Sequence, residues 1–116
     1  MTSVTTSQLK QAIEGRDARA LTGFYADDAV MRIIDRDHPP SAPLELHGKG
    51  EIRSFYEDVC GRAMTHHVDS VVADHDHLAF TQACAYPDGV RVFSTAMLTL
   101  ADGLITDQTN VQAWDG

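Results

Sequence analysis

Basic residues are scarce in this sequence: nine Lys and Arg stand against seventeen Asp and Glu, a formal net charge of -8, and no basic cluster occurs. Nucleic acids and anionic membrane surfaces are drawn to concentrated positive charge, so both are poor partners. Cysteine is nearly absent. Cys60 and Cys84 are the two present, without metal-type spacing, and they read as reduced, buried thiols rather than a disulfide. No apolar run approaches the length of a membrane span, and Met1-Thr2-Ser3-Val4-Thr5-Thr6 lacks the charged start and apolar core of a secretory leader, so the expected location is the cytoplasm. There is also no Gly-rich phosphate cradle, no Gly-x-Ser-x-Gly nucleophile setting and no His or Cys spacing typical of a metal site. The expectation is therefore a protein without metal or organic cofactor, and without covalent or nucleotide chemistry.

With 116 residues, 43% hydrophobic and 22% charged, the chain is expected to form a single domain over 1–116 with one core and no staples. Thr6 or Ser7 can cap a helix in which Leu9, Ala12 and Ile13 recur at helical spacing. Gly15 ends it, and Asp17 caps a second helix running to about Tyr25. Asp27-Asp28 then reads as a turn, and Ala29 to Ile34 as a strand. Three prolines make Asp35 to Pro43 a loop, since proline cannot donate to a ladder. Leu44 to His47 is a short strand, and Gly48-Lys49-Gly50 opens a helix with Ile52, Phe55, Tyr56, Val59 and Cys60 on one face, ended by Gly61. Four long strands follow: Thr65 to Ala73, His77 to Tyr86, Val90 to Leu100 and Leu104 to Trp114. Asp74-His75-Asp76, Pro87-Asp88-Gly89 and Ala101-Asp102-Gly103 separate them as hairpin turns. Helices followed by a run of strands is an α+β pattern in which a curved sheet wraps the helices.

Strand alternation sorts side chains between two faces. Leu78, Phe80, Gln82, Cys84 and Tyr86 are expected to face the helices, as are Val92, Ser94, Ala96 and Leu98. On the last strand Thr106, Gln108, Asn110, Gln112 and Trp114 share one face, and Ile105, Asp107, Thr109, Val111 and Ala113 the other. Neither face of that strand is apolar enough for ordinary core. If Gln108 and Asn110 point inward, their amides need partners.

Phe24-Tyr25-Ala26-Asp27-Asp28-Ala29, together with Gly48-Lys49-Gly50-Glu51-Ile52-Arg53-Ser54-Phe55-Tyr56, resembles the SnoaL-like branch of the nuclear-transport-factor-two-like, or ketosteroid-isomerase-like, superfamily. The resemblance implies a cone: a curved, mostly antiparallel sheet around three N-terminal helices. It also implies a homodimer through the outer sheet face, here Arg91, Phe93, Met97 and Val111, and an internal pocket. The fold alone does not name a chemistry. The isomerase branch's catalytic aspartate maps to Ile33, its second acid near Ala96 and its helix-one tyrosine near Leu9, so that constellation is lost. Asp35 lies two residues beyond Ile33, on the same face, and is the best available base; the competing reading is a solvated loop start with Arg36 and Asp37. Cyclases of the branch pair an aspartate with histidines, which singles out an inward His66, near Asp35 or Tyr56, as acid or base. A neutral buried histidine bonded to backbone is the alternative. The Asp-Arg-Asp relay of limonene-epoxide-hydrolase-like members is approached only by Arg91 and Asp107, both expected on the outer face. Tyr25, Tyr56, Gln82, Gln108, Asn110 and Trp114 complete the candidate ligand contacts. Two functions follow. One is a cofactor-free acid–base enzyme of isomerase, cyclase or hydrolase type acting on a small apolar carbonyl compound. The other is a non-catalytic ligand-binding or dimerising domain.

Overall fold

The computed structural model describes residues 4–115; the first part of the Met1–Thr6 segment, read above as no leader, lies outside the described residues. Nine elements follow in order: α1 (Thr6–Glu14), α2 (Ala18–Gly23), β1 (Tyr25–Ile34), β2 (Leu44–His47), α3 (Lys49–Cys60), β3 (Thr65–Ala73), β4 (His77–Ala85), β5 (Arg91–Ala101) and β6 (Leu104–Trp114). The six strands form one sheet in the order β2-β1-β6-β5-β4-β3. Only β1 and β6 run parallel; every other neighbouring pair is antiparallel. This is the expected α+β arrangement. Among the described residues no helix is long and apolar enough to cross a membrane.

Local chemistry sets the element ends. Thr5, not Thr6 or Ser7, caps α1: its hydroxyl accepts from the Gln8 backbone N–H while the Gln8 side chain accepts from Thr5 N–H, a reciprocal capping box. Asp17 caps α2 through the Ala20 N–H. Between β5 and β6, Asp102 and Gly103 both take positive φ, 52° and 80°, which is what a two-residue hairpin turn requires. Gly48 precedes α3 with φ 86° and ψ 159°, a region open to glycine almost alone, and donates its N–H to the Ala29 carbonyl at 2.8 Å. Gly48→Ala is therefore expected to lower unfolding stability by about 1–3 kcal/mol, measured by urea denaturation; an unchanged midpoint would refute the strain.

Two expectations fail, one from helical spacing and one from strand alternation, both at irregularities in the ladder. Tyr25 begins β1 rather than ending a helix, and Asp27-Asp28 lies within that strand. There the register against β6 slips, so that the stretch from Tyr25 to Val30 faces only Ile105 to Asp107. The two carboxylates bulge into solvent, while Tyr25 and Ala29 on either side stay buried. On β6 a second slip, opposite Thr99 and Leu100, turns Ile105 inward, where it is fully buried. The outer-face assignment of Ile105 is thus wrong by one residue.

Tyr25, Leu21, Met31, Ile33, Ile52, Leu78, Leu98 and Ile105 fill the space between sheet and helices. Of the apolar stripe on α3, only Ile52 is fully buried, and Phe55, Tyr56, Val59 and Cys60 keep partial exposure because they border a cavity. At the β3 edge, α1 closes the open ladder. Lys10 Nζ donates to the Val68 carbonyl at 3.1 Å and Glu14 Oε2 accepts from the Val68 N–H at 2.8 Å, satisfying groups that an edge strand otherwise exposes.

Candidate functional site

The concave face of the sheet and the three helices enclose a cavity of about 380 Å³, within the usual size of small-molecule sites. Alternate residues of β6, from Gln108 through Asn110 and Gln112 to Trp114, line one wall, as the period of two requires. Ser94 and Gln82 continue that wall across β5 and β4. Phe55, Tyr56 and Cys60 enter from α3, His66 from β3, and Asp35, Arg36 and His38 from the segment after β1.

At the inner end, side chains form one hydrogen-bonded chain. The Tyr25 hydroxyl donates to Gln108 Oε1 and lies 2.6 Å from the Tyr56 hydroxyl, and Gln108 Nε2 donates to Asn110 Oδ1 at 2.8 Å. Asn110 Nδ2 ends the chain 3.7 Å from Met31 Sδ. Gln108 is only 2% exposed, so these bonds answer the desolvation of its amide. Burial, with Tyr56 beside it, holds the Tyr25 phenol well above its ordinary pKa against the opposing bond to Gln108. Burial also pushes Tyr56 up to about 12, opposed by its hydrogen-bonding neighbours Tyr25 and Gln108. Both phenols are thus neutral donors.

Asp35 closes a tight turn. Its Oδ1 accepts from the Asp37 backbone N–H at 2.9 Å and stands 2.8 Å from His38 Nδ1, while the backbones of Asp35 and His38 bond each other. The Asp35 side chain is 16% exposed and that of His38 37%, so Arg36 and Asp37 are the solvated part of this loop and Asp35 itself is not. Above it, the Arg36 guanidinium lies 4.2 Å from the Trp114 ring, which stacks on Tyr86, and the Trp114 indole N–H donates to Gln112 Oε1 at 3.0 Å.

His66 does not meet Asp35 or Tyr56. It lies opposite Cys84 in the β3–β4 ladder, with Nδ1 3.1 Å from Cys84 Sγ. Burial, and then the Arg16 charge, push its pKa below the ordinary 6.5, against a bond to Gln82. A depressed histidine pKa means that the folded state binds fewer protons than the unfolded chain. The stability from keeping His66 neutral is full above about 6.5 and lost as pH falls toward the folded value. Glu14, lowered chiefly by its bond to Lys10, and Asp74, lowered by backbone N–H groups, act in a separate window below the ordinary carboxylate values. His66→Asn should therefore flatten the fall in urea midpoint between about pH 7 and pH 5 while leaving the loss below about pH 4 in place. Equal slopes in both proteins would refute it.

Arg91 and Asp107 do not form a relay. Asp107 pairs with Arg32 at 3.0 Å, and the Arg91 N–H bonds Asp115. His75 and His77 are exposed at a turn. Among the described residues no group of three His, Cys, Asp or Glu stands close enough together to hold a metal. Cys84 is the free, buried thiol expected from the sequence, and the ladder also brings it to His66 at the cavity wall, which the sequence does not show.

Solved structures place this architecture among the nuclear-transport-factor-two-like folds. A protein of unknown function from Mesorhizobium loti, described as of that type, superposes with a TM-score of 0.81 at 13% identity, over 92% of this chain and 86% of its own. One from Burkholderia xenovorans gives 0.78 at 15% identity, over 92% and 78%. A candidate ketosteroid isomerase from Kribbella flavida gives 0.75 at 18% identity, over 92% and 73%. Identities this low speak for the fold alone. The sequence model of the SnoaL-like domain matches residues 7–108, and the chain belongs to the SnoaL-like family. Comparison with curated proteins gives no match.

Proposed function

We propose that the cavity binds a small, largely apolar carbonyl compound and moves a proton on it without a cofactor, in the manner of an isomerase, cyclase or hydrolase. The observation that carries this reading is the pairing of a proton acceptor with a neutral phenol, at the end of a chain of turnable amides, around one cavity. Asp35, held by His38 and the Asp37 N–H, lines it, as does Tyr56, the cavity end of the chain through Tyr25 and Gln108. In this scheme Asp35 takes a proton from the carbon next to the carbonyl, Tyr56 donates a hydrogen bond to the oxygen where negative charge develops once the Gln108 amide has turned and freed its proton, and Asn110 and Gln82 orient the rest. His66, on the β3 side of the cavity and kept neutral by burial, is the second group able to accept a proton. Trp114, with Arg36 over its ring and Tyr86 stacked on it, adds aromatic wall against the body of the molecule. The test is deuterium exchange at the carbon beside the carbonyl in a panel of small cyclic ketones, followed by NMR. Exchange above the buffer rate that depends on Asp35 supports the reading; no exchange with any ketone overturns it.

A binding domain without turnover is the second reading. It is favoured by Ile33 and Ala96, 1% and 4% exposed, at the positions where the isomerase branch carries its acids. Binding of those ketones without exchange would select it.

We further propose a homodimer through the outer sheet face, where Phe93, Met97 and Val111 are 51%, 58% and 45% exposed, large apolar side chains that a sheet face seldom leaves together in water. Sedimentation equilibrium is expected to give a dimer for the wild type and a monomer for Met97→Arg; a wild-type monomer at high protein concentration refutes it.

A further inference from the structure

We infer that Cys84 and His66 form a nucleophile–base pair through which the cavity captures small α,β-unsaturated carbonyl compounds covalently. The pair is a product of the ladder. Ala73 pairs with Leu78 beside the β3–β4 turn, and an unbroken register would set His66 against Ala85. The slip between Val68 and Ser70 instead sets it against Cys84, one residue nearer the turn. Both side chains then face the cavity, with Cys84 Sγ 3.1 Å from His66 Nδ1 and 3.4 Å from Gln82 Oε1. Met64 and Val92 pack around the thiol, and Cys84 is 8% exposed, so this wall is apolar except for the groups that handle the proton.

An apolar setting would ordinarily make a thiol inert, because the thiolate is the nucleophile. Burial pushes Cys84 up to about 11, so almost none of it is ionised near neutrality. A base within hydrogen-bond reach removes that obstacle by taking the proton as the sulfur attacks. His66 meets the requirement, since burial keeps its imidazole neutral and able to accept. The second cysteine at the cavity, Cys60, is also raised by burial, and among the described residues no histidine is bonded to it.

The electrophile is a carbon–carbon double bond conjugated to a carbonyl. Cys84 Sγ forms a bond to the β-carbon, the π-bond breaks, and its electron pair moves to the carbonyl oxygen as an enolate. The thiol proton passes to His66 Nδ1 and returns from there to the α-carbon, so the sum is addition of S–H across the double bond with no oxidant or reductant. Gln82 and its cross-strand partner Ser94 are the polar side chains next along this wall to receive the enolate oxygen.

Capture needs no turnover, so it stands or falls independently of Asp35. The probe is 2-cyclohexen-1-one, with intact-mass spectrometry for the rate and peptide mapping for the site. Addition of one reagent per chain, on Cys84, is expected. Cys60→Ser should keep that rate within about twofold, Cys84→Ser should abolish the addition, and His66→Asn should slow it at least about tenfold with an unchanged circular dichroism spectrum. If Cys84→Ser does not fold, mapping on the wild type and on Cys60→Ser decides the site. Addition at Cys60, no addition, or a His66→Asn rate equal to wild type overturns the inference.

Discussion

Asp35→Asn is expected to cut cofactor-free deuterium exchange into a bound ketone at least about 100-fold, the usual contribution of a positioned general base, while barely moving the unfolding midpoint. The two halves of that expectation come from the same turn. Asparagine keeps an oxygen where Asp35 Oδ1 accepts from the Asp37 N–H, so the local turn geometry survives. Its amide cannot take a proton from carbon. His38→Gln should have a smaller effect on exchange, because His38 touches the carboxylate and acts by orienting it; the loss should fall on turnover rather than on ketone affinity. If Asp35→Asn exchanges at the wild-type rate while His66→Asn does not, the base lies on the β3 side and the assignment of Asp35 is wrong.

The fold was legible in this sequence because its signals are local. The Asp-Gly turn at Asp102-Gly103, the glycine at Gly48 and the helical stripe beginning at Ile52 each depend on a few adjacent residues, and each element they bound appears where expected. What alternation could not give is where a ladder slips. Tyr25 looked like the last turn of a helix because it follows Leu21 and Phe24 at helical spacing. It is a strand residue because the bulge at Asp27-Asp28 lets β1 start early against β6. Strict alternation puts Ile105 outside, and it is inside because of the slip beside Leu100.

The site was less legible, for the same reason taken one level up. That Gln108, Asn110 and Trp114 share a face follows from a period of two, and their common place on the cavity wall agrees with it. The meeting of Cys84 and His66 depends on a single register slip in β3. Nothing in Thr65 to Ala73 announces it. The pairing of Asp35 with His38 is open to inspection, three residues apart in a proline-bounded loop. A short side chain that accepts from the backbone two residues on and meets an imidazole three residues on is an ordinary turn pattern.

Gln108→Leu is expected to destabilise the fold by about 2–3 kcal/mol, and adding Tyr25→Phe should give back at least about 1 kcal/mol relative to the sum of the two single changes. Leucine matches the size of glutamine but leaves Asn110 Oδ1 without its donor and the buried Tyr25 hydroxyl with Tyr56 alone. Phenylalanine at 25 alone strands Gln108 Oε1. Removing both ends of the Tyr25–Gln108 bond leaves an apolar contact where each single change leaves an orphaned polar group, and that asymmetry is what a double-mutant cycle in urea reads. Strict additivity would mean that the two side chains are not energetically joined. The cycle bears on function because the chain has a direction. With Tyr25 donating to Gln108, its single proton is used, so Tyr56 donates to Tyr25 and offers the cavity only lone pairs. For Tyr56 to donate to a carbonyl oxygen, Tyr25 must donate to Tyr56 instead. The Gln108 amide must then turn, so that Nε2 faces Tyr25, and the Asn110 amide must turn with it, so that Nδ2 donates to Gln108 Oε1. Gln108 and Asn110 are the members of the chain with a donor and an acceptor that can exchange places, so these amides, rather than either tyrosine, decide whether the cavity meets a ligand as acceptor or as donor.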